Sequence, residues 1–228
     1  MKPFVLGIIP ARGGSKRIPD KNIIALAGQP LISYTTEAAR KSCRLDDLLV
    51  STDSDAIAEI VRGLGVKVPF RRPDEFSTDA ASTSDVLINV VEEYETLSGR
   101  AVDIIVTLQP TQPLRSAGDI DQAVALLDTD PGAESVITCY KADSVRPEYM
   151  YFPVEGRVRL LMEGPNKDEI YIRNGAVYVT RRRLLMEDRK IMEEHPMCYI
   201  MPRERSFNID EPFDLELCEA FLRYKSNE

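Results

Sequence analysis

Four cations and two adjacent glycines are concentrated in the segment from residue 10 to residue 22. The cations are Arg12, Lys16, Arg17 and Lys21, and the glycines are Gly13 and Gly14. An apolar run, residues 4–10, leads into this segment. Glycines let backbone N–H groups approach an anion, and lysine and arginine side chains neutralise it. A glycine-bearing, cationic loop after a strand therefore predicts a phosphate-binding site.

The spacing of this loop differs from that of the two best-known phosphate loops. It lacks both the G-x-x-x-x-G-K-S/T pattern and the dinucleotide pattern G-x-G-x-x-G. The whole chain has a formal net charge of −8, so a basic loop on it is a local feature. The alternative is a solvated basic turn, which the density of cations directly after an apolar strand disfavours.

Composition limits the classes of protein that the chain can belong to. Its 228 residues, 43% of them hydrophobic, predict a single domain, residues 1–228, with a substantial core. Four scattered cysteines without a C-x-x-C spacing predict reduced thiols and a cytoplasmic protein. No apolar stretch approaches the ~20 residues of a membrane span and no signal peptide opens the chain. We therefore expect no membrane partner, and the acidic balance disfavours nucleic acid as a partner.

His195 is the single histidine of the chain. It stands beside a proline in a polar stretch, where a surface or turn position is the natural interpretation. A surface position for this histidine disfavours chemistry that needs a Ser-His-Asp triad, and a single histidine cannot form a histidine-rich metal cluster.

Apolar, β-rich runs alternate with helical patterns through the first 140 residues. Strands are predicted at residues 4–10, 48–52, 66–70, 104–108 and 135–140, and helices at 30–42, 56–64, 84–97 and 120–127. This order predicts an α/β fold with a mainly parallel, doubly wound, Rossmann-like sheet. Ligands bind beyond the carboxyl ends of strands in such sheets. We expect the loops that start at Ala11, Thr52, Arg71 and Gln109 to share that edge.

The alternation breaks at residues 142–172. Short alternating segments at 149–152 and 157–161 predict a β-hairpin or a small inserted β-rich lobe. The chain is then expected to return to the sheet at residues 176–180 and to end in a helix at 211–224.

Six motifs, spread in order over nearly the whole chain, carry a resemblance to a known family. They lie at residues 10–22, 50–53 (VSTD), 71–73 (RRP), 108–115 (LQPTQPLR), 174–178 (NGAVY) and 208–210 (NID). Together they resemble the signatures of the acylneuraminate cytidylyltransferases, the CMP-sialic acid or CMP-nonulosonate synthetases. More distantly, the chain is similar to the Kdo cytidylyltransferases.

The resemblance implies the transfer of a cytidylyl group. The anomeric hydroxyl of a nonulosonic acid would attack the α-phosphorus of CTP, and pyrophosphate would leave. Such a transfer depends on positioning and electrostatic stabilisation more than on a nucleophilic side chain. The resemblance assigns nucleotide binding to Ala11, Arg12, Gly13, Gly14, Ser15, Lys16, Lys21, Asn22, Arg71 and Ser82, and catalysis to Arg12, Lys21 and Asp210.

Within the nucleotide site, Arg71 and Ser82 match residues that contact cytosine. An arginine and a hydroxyl could supply donors for O2 and N3 of the base. A purely structural role is compatible with this one, since Ser82 or Thr83 could cap the helix that follows.

The acceptor site is less defined by sequence. The resemblance places Gln109 on the sugar or ribose, and Arg115 could bind phosphate or carboxylate or form a structural ion pair. Further candidates for the sugar are Lys167, Arg173 and Asn174, with Lys141 and Arg146 as additional possible carboxylate binders. Here the chain departs from the family pattern, because Arg173 is adjacent to Asn174 rather than one residue further away.

A magnesium site is implied at Asn208 and Asp210. The family usually shows Asp-x-Asp at this point, whereas the chain has Asn-x-Asp. Alternate residues of an extended segment point the same way, and Mg²⁺ prefers oxygen ligands. Asn208 keeps an oxygen but loses a charge, so Asp210 is the main expected ligand. The alternative for Asp210 is a helix N-cap.

Three functions remain open at this point. The leading prediction is a Mg²⁺-dependent cytidylyltransferase that uses CTP and a sialic-acid-like sugar. A Kdo-like or pseudaminic-type acceptor is the nearest rival, and a nucleotide-binding module with impaired catalysis is the other, favoured by Asn208. By resemblance, the excursion at 142–172 is a dimerisation element, so a homodimer is expected.

Overall fold

The computed structural model describes residues 2–162 and 169–226. In chain order the strands are β1 (Val5–Pro10), β2 (Ala25–Leu26), β3 (Gln29–Pro30), β4 (Asp47–Ser51), β5 (Ile104–Thr107), β6 (Ser135–Lys141), β7 (Tyr151–Val154), β8 (Arg157–Leu160), β9 (Tyr171–Arg181) and β10 (Met197–Ile200). The α-helices are α1 (Leu31–Arg40), α2 (Asp55–Gly63), α3 (Thr83–Ser98), α4 (Ala117–Leu127), α5 (Arg182–Met186) and α6 (Pro212–Ser226). Single 3₁₀ turns lie at Lys21–Ile23, Asp74–Phe76, Pro147–Tyr149 and Arg203–Arg205.

A six-stranded sheet forms the centre of the molecule, in the order β10-β6-β9-β5-β1-β4. Strands β4, β1 and β5 are parallel to one another, and β10 is parallel to β6. Strand β9 runs antiparallel to both of its neighbours, β5 and β6. The predicted α/β fold with a mainly parallel sheet is confirmed.

Helices cover both faces of this sheet. Successive residues of a strand point to opposite faces, and β1 shows the consequence. Ile9 belongs to the core layer shared with α1, α2 and α4, whereas Leu6 and Ile8 belong to the layer shared with α3 and α5. All three side chains are fully buried. The doubly wound arrangement follows from strands that are apolar on both faces.

Serine side chains begin three of the helices. Ser54 accepts a hydrogen bond from the amide of Ile57 at the start of α2, and Ser116 begins α4 with a capping box. Ser82 accepts from the amide of Asp85 at 3.1 Å and begins α3, which confirms the predicted cap. Over the described ranges, no helix combines the length and apolarity of a membrane span.

Several predicted elements differ from the structure. The strand predicted at 66–70 is wrong, because only Lys67 makes an isolated bridge, to Leu49 of β4. Strand β9 begins at Tyr171, five residues before the predicted return to the sheet. Neither α5 nor β10 was expected.

The predicted hairpin within 142–172 is present as β7 and β8, which pair with each other in antiparallel register. Its large apolar side chains are exposed, among them Tyr151, Phe152, Val158 and Leu160. Two-stranded hairpins are marginally stable alone in water. The segment thus presents an apolar surface that the described part of this chain leaves open to solvent.

Candidate active site

A cleft of about 650 Å³ opens at the carboxyl edge of the sheet, where ligands bind in this fold class. Its walls come from the loop after β1, the segment before α3, the loop after β5 and the segment before α6. Eight residues predicted from the sequence contribute to its lining: Arg12, Ser15, Lys16, Lys21, Asn22, Gln109, Asn208 and Asp210.

Backbone contacts to β4 and the residues after it fix the loop that follows β1. The amide of Ala11 donates to the carbonyl of Ser51, and the amide of Gly13 donates to Oδ1 of Asp53, both at 2.9 Å. A Cβ on Gly13 would lie 3.0 Å from the Cβ of Ser54, so a larger residue would press against the start of α2. The backbone bonds of Ala11 and Gly13 therefore hold the loop, while the longer side chains face the cleft.

The cations of this loop already contact carboxylates from other walls of the cleft. Nη2 of Arg12 lies 2.6 Å from Oδ1 of Asp79, and Lys16 pairs with the second oxygen of the same carboxylate. Nζ of Lys21 lies 3.0 Å from Oδ1 of Asp210 and donates to the carbonyl of Ile209, also at 3.0 Å. Lys21 is the most buried of these three cations, with 14% of its side chain exposed. The positive charge of the loop is thus directed into the cleft rather than outward.

Asp210 faces the cleft and does not cap α6. Its carboxylate accepts from Lys21 and from Nδ2 of Asn208. The carboxylate of Asp214 instead accepts from the amides of Asp210 and Glu211, at 2.9 and 2.8 Å. The capping role therefore belongs to Asp214, which leaves the Asp210 carboxylate available for chemistry.

The donor set at Asp210 and Asn208 fits Mg²⁺. The two side chains are in contact at the cleft, and the oxygen and nitrogen of an amide exchange places by a simple rotation of the side chain. Mg²⁺ is commonly held by one or two carboxylates together with substrate phosphates and waters. No group of three His, Cys, Asp or Glu side chains in metal-binding proximity occurs within 2–162 and 169–226, so phosphate oxygens would have to complete the coordination.

Arg115 supports the cleft from behind, and its burial and hydrogen bonds favour a structural role over a contact with phosphate or carboxylate. Only 3% of the residue is exposed. Nε donates to the carbonyl of Ala176 at 2.8 Å, Nη1 to Oγ1 of Thr35 at 2.6 Å, and Nη2 to the carbonyl of Gln109. Burial lowers the pKa of Arg115 to about 9, which leaves the guanidinium charged at neutral pH. It joins α1, β9 and the Gln109 loop.

Asn174 makes its hydrogen bonds within the fold, and its predicted contact with the sugar stays a prediction. Its Oδ1 accepts from Oγ1 of Thr138 at 2.6 Å and from the amide of Ala176 at 3.0 Å, and its Nδ2 donates to Oγ of Ser206 at 2.9 Å. The residue is buried. These bonds hold the backbone at the point where β9 passes the cleft.

The next residue, Gly175, is what allows Gln109 to occupy its position. Gly175 has φ +76°, a conformation that side-chain-bearing residues rarely adopt. A Cβ there would stand 2.8 Å from Oε1 of Gln109. The predicted acceptor residue Gln109 therefore depends on a glycine from the antiparallel strand.

The side chains of the adjacent residues Arg71 and Arg72 lie in different environments. Arg72 is buried, lines the cleft and donates from Nε to Oγ of Ser51 at 3.0 Å; burial lowers its pKa to about 10. Arg71 is exposed and pairs with Asp55 at 2.9 Å. Arg71 and Ser82 lie outside the lining of the cleft, and their contact with cytosine stays a prediction.

Of two further cations predicted to bind the sugar, one lies away from the cleft and the other lies outside the residues that the structure describes. Arg173 is exposed, with its guanidinium 5.9 Å from the ring centroid of Tyr178 and Nη1 3.0 Å from Sδ of Met192. Lys167 lies outside the described residues. The lining of the cleft therefore does not identify the cation that would bind the carboxylate of an acceptor sugar.

Sequence reasoning missed two charged residues of the cleft. Arg72 could not be distinguished from its neighbour, because a turn decides which of two consecutive arginines points inward. For Asp79, the sequence offered only its position in the polar segment before α3 as an indication that it lies at the site. Its pairing with Arg12 and Lys16 depends on a contact across 63 to 67 residues of chain.

A family model described as cytidylyltransferase matches residues 6–224. The chain belongs to the cytidylyltransferase family. The match covers the phosphate-binding loop, the Gln109 loop and the Asp210 segment together, so all walls of the cleft are included.

Named relatives of this cytidylyltransferase agree on the class of acceptor. A CMP-N,N'-diacetyllegionaminic acid synthase of Legionella pneumophila is 30% identical, with 96% of each chain covered. A pseudaminic acid cytidylyltransferase of Campylobacter jejuni is 32% identical, with 97% of each covered. An N-acylneuraminate cytidylyltransferase of Escherichia coli is 28% identical; the match covers this whole chain but 54% of that protein.

Solved structures share the fold of this cytidylyltransferase. A CMP:2-keto-3-deoxy-manno-octonic acid synthetase complexed with CTP matches 97% of the chain with a TM-score of 0.74 and 21% identity, over 99% of that structure. A 4-diphosphocytidyl-2C-methyl-D-erythritol synthase from Anaerococcus prevotii matches 97% with a TM-score of 0.70 and 14% identity, over 96% of that structure. At these identities the likeness concerns the fold alone.

Proposed function

We propose that this cytidylyltransferase transfers CMP from CTP to the anomeric hydroxyl of a nonulosonic acid and releases pyrophosphate. The observation that carries the proposal is the convergence of Arg12, Lys16 and Lys21 on one wall of a cleft that Gln109 and Asp210 also line. Relatives named for legionaminic, sialic and pseudaminic acids support a nonulosonate as the acceptor.

The chain's own residues have separable roles in this reaction. Arg12, Lys16 and Lys21 bind phosphate oxygens and offset the charge that builds up as the bond to pyrophosphate breaks. Because Lys21 is largely buried and hydrogen-bonded to the backbone, its ammonium is held in place before the nucleotide arrives. Preorganised charge of this kind costs little reorganisation during the reaction.

Mg²⁺ is the cofactor that we propose, with Asp210 as its main protein ligand and Asn208 as a weaker one. When bound, it would act as a Lewis acid on phosphate oxygens. Lys21 contacts the same carboxylate, so the cation and the metal would neutralise one phosphate region from adjacent positions. Position 208 holds Asn where the family pattern has Asp, so the site has one negative charge fewer. We therefore expect this enzyme to need a higher concentration of magnesium.

The acceptor hydroxyl must approach from the side of Gln109. Gly175 leaves room for the Gln109 side chain, and Arg115 donates a hydrogen bond to the Gln109 carbonyl. Lys167, Arg173, Lys141 and Arg146 stay candidates for the sugar carboxylate. A Kdo-like acid is the alternative acceptor.

We also propose that the enzyme is a cytoplasmic homodimer assembled through the segment 142–172. The exposed apolar side chains of β7 and β8 support an interface there. The free thiols of Cys43, Cys139, Cys198 and Cys218 support a reducing compartment.

Pyrophosphate release from CTP, measured with a panel of acidic sugars, tests the function. We expect turnover with at least one of legionaminic, sialic or pseudaminic acid and little with Kdo. ATP, GTP and UTP should be poor donors, and Arg12→Ala is the matched inactive control. CTP binding without turnover of any sugar in the panel would favour the nucleotide-binding module instead.

A further inference from the structure

Asp79 places one carboxylate on two cations of the phosphate-binding loop. Oδ1 lies 2.6 Å from Nη2 of Arg12, and Oδ2 pairs with Nζ of Lys16. Each oxygen thus takes a different cation, which is how two oxygens of one phosphate group would be bound. The carboxylate therefore engages two of the side chains to which phosphate binding is assigned above.

Asp79 belongs to the opposite wall of the cleft. It lies between the turn Asp74–Phe76 and helix α3, whereas its two partners follow β1. About half of its side chain, 46%, is exposed, so the contact crosses an open cleft and can be broken without unpacking the core. Hydrogen bonds from Lys16 and then Arg12 lower the pKa of Asp79, and the group is therefore an anion at neutral pH.

Arg17 differs from the other cations of the loop. It is exposed and lines the cleft, and no ion pair or hydrogen bond joins it to another residue of the described part of the chain. Arg17 could therefore contact a polyphosphate without the loss of an ion pair.

We propose, on the basis of the function proposed above, that Asp79 is an internal competitor for the phosphate groups of the substrate. It holds Arg12 and Lys16 before the nucleotide binds, is displaced by the triphosphate of CTP, and returns to both cations as pyrophosphate leaves. A group tethered in the same chain competes at an effective concentration in the millimolar range. Asp79 thereby weakens the binding of CTP and of pyrophosphate alike and assists the release of the product.

Titration of inorganic pyrophosphate into the full chain, in metal-free buffer, tests this competition. Asp79→Asn keeps the shape of the side chain and removes its charge. Exposed ion pairs are weak, so the loss of two should lower the Kd of pyrophosphate roughly two- to thirtyfold. Cytidine has no phosphate, and its Kd should be the same in both proteins.

Asp128→Asn is the matched control, because Asp128 is also a half-exposed carboxylate paired with an arginine, Arg44, outside the cleft. It changes the net charge by the same amount, and it should leave the Kd of pyrophosphate unchanged. An equal gain in affinity in this control would attribute the effect to net charge and overturn the proposal. Unchanged or weaker pyrophosphate binding in Asp79→Asn would also overturn it, the weaker case indicating that Asp79 helps to bind phosphate or metal.

Turnover separates this inference from the function on which it rests. In Asp79→Asn, the KM for CTP should fall and pyrophosphate should become a stronger product inhibitor, by the same factor as its Kd. Tighter pyrophosphate binding without turnover of any sugar would retain the competition and refute the synthetase. Normal turnover with unchanged pyrophosphate binding would support the synthetase and refute the competition. Absence of pyrophosphate binding to both proteins would also refute the competition.

Discussion

Replacement of Arg115 by methionine tests whether this arginine stabilises the fold or binds a substrate. Methionine matches the length of the side chain but has no donors. The change would leave three acceptors without their guanidinium partner in a site that is 3% exposed: the carbonyls of Ala176 and Gln109 and the hydroxyl of Thr35.

The magnitude follows from these three bonds. An unmade buried hydrogen bond costs about 1–3 kcal/mol, and the relief of burying a charge offsets part of the sum. We expect a net loss of about 3–5 kcal/mol in the free energy of unfolding. For a chain of this size, that corresponds to a decrease of roughly 6–20 °C in the melting temperature.

Thermal unfolding followed by circular dichroism measures the loss, and Arg71→Met is the matched control. Arg71 is exposed and makes one ion pair, to Asp55, so its replacement should change the free energy of unfolding by less than about 1 kcal/mol. Arg115→Lys, which keeps the charge and fewer donors, should lie between the wild type and Arg115→Met. A wild-type melting temperature in Arg115→Met, together with lost CTP or sugar binding, would refute the structural role.

Four further predictions concern the cleft and the hairpin. Lys21→Ala should lower kcat/KM by about 10²–10³-fold, as for other preorganised charges; wild-type turnover would make the loop a solvated turn. Asp210→Asn should abolish turnover at every magnesium concentration, while Asn208→Asp should lower the concentration of Mg²⁺ needed for half-maximal rate; an active Asp210→Asn enzyme with no shift in the second variant would place the metal elsewhere. Static light scattering at micromolar concentration should give twice the chain mass of 25.7 kDa, and Phe152→Ser should weaken the dimer; a monomeric wild type would contradict the assigned interface. Gly175→Ala should cost about 1–2 kcal/mol of stability and displace Gln109, which kinetics would record as a raised KM for the sugar; an unchanged KM would show that Gln109 does not contact it.

The alternation of apolar runs was sufficient to predict most of the sheet and its helices. Strands β1, β4 and β5 are apolar on both faces, so their sequence is distinctive. The short strand β10 lies between two prolines and has four residues, too few for a periodic signal. The direction of β9 depends on its neighbours in the sheet, and no local pattern encodes it.

Residues in recognisable motifs come together at the cleft, whereas their roles in catalysis stay predictions. Arg12, Lys21 and Asp210 line the cleft as expected. The sequence left two roles open for Arg115, since a buried structural arginine and a phosphate-binding arginine look alike in sequence. The contact between Asp79 and the loop depends on tertiary structure, and only the folded chain reveals it.

Strand β9 has a consequence for attempts to shorten this enzyme. The amide of Ala142 donates to Ile170 at the base of the hairpin, Tyr171 then pairs with Lys141, and the other end of the strand pairs with Ile104. Its 11 residues span roughly 35 Å in one continuous piece that passes the cleft at Gly175. A truncation that removes the hairpin would free one end of this span and loosen the backbone beside Gln109. A minimal enzyme should therefore replace the hairpin with a short turn that preserves the pairing of Lys141 with Tyr171.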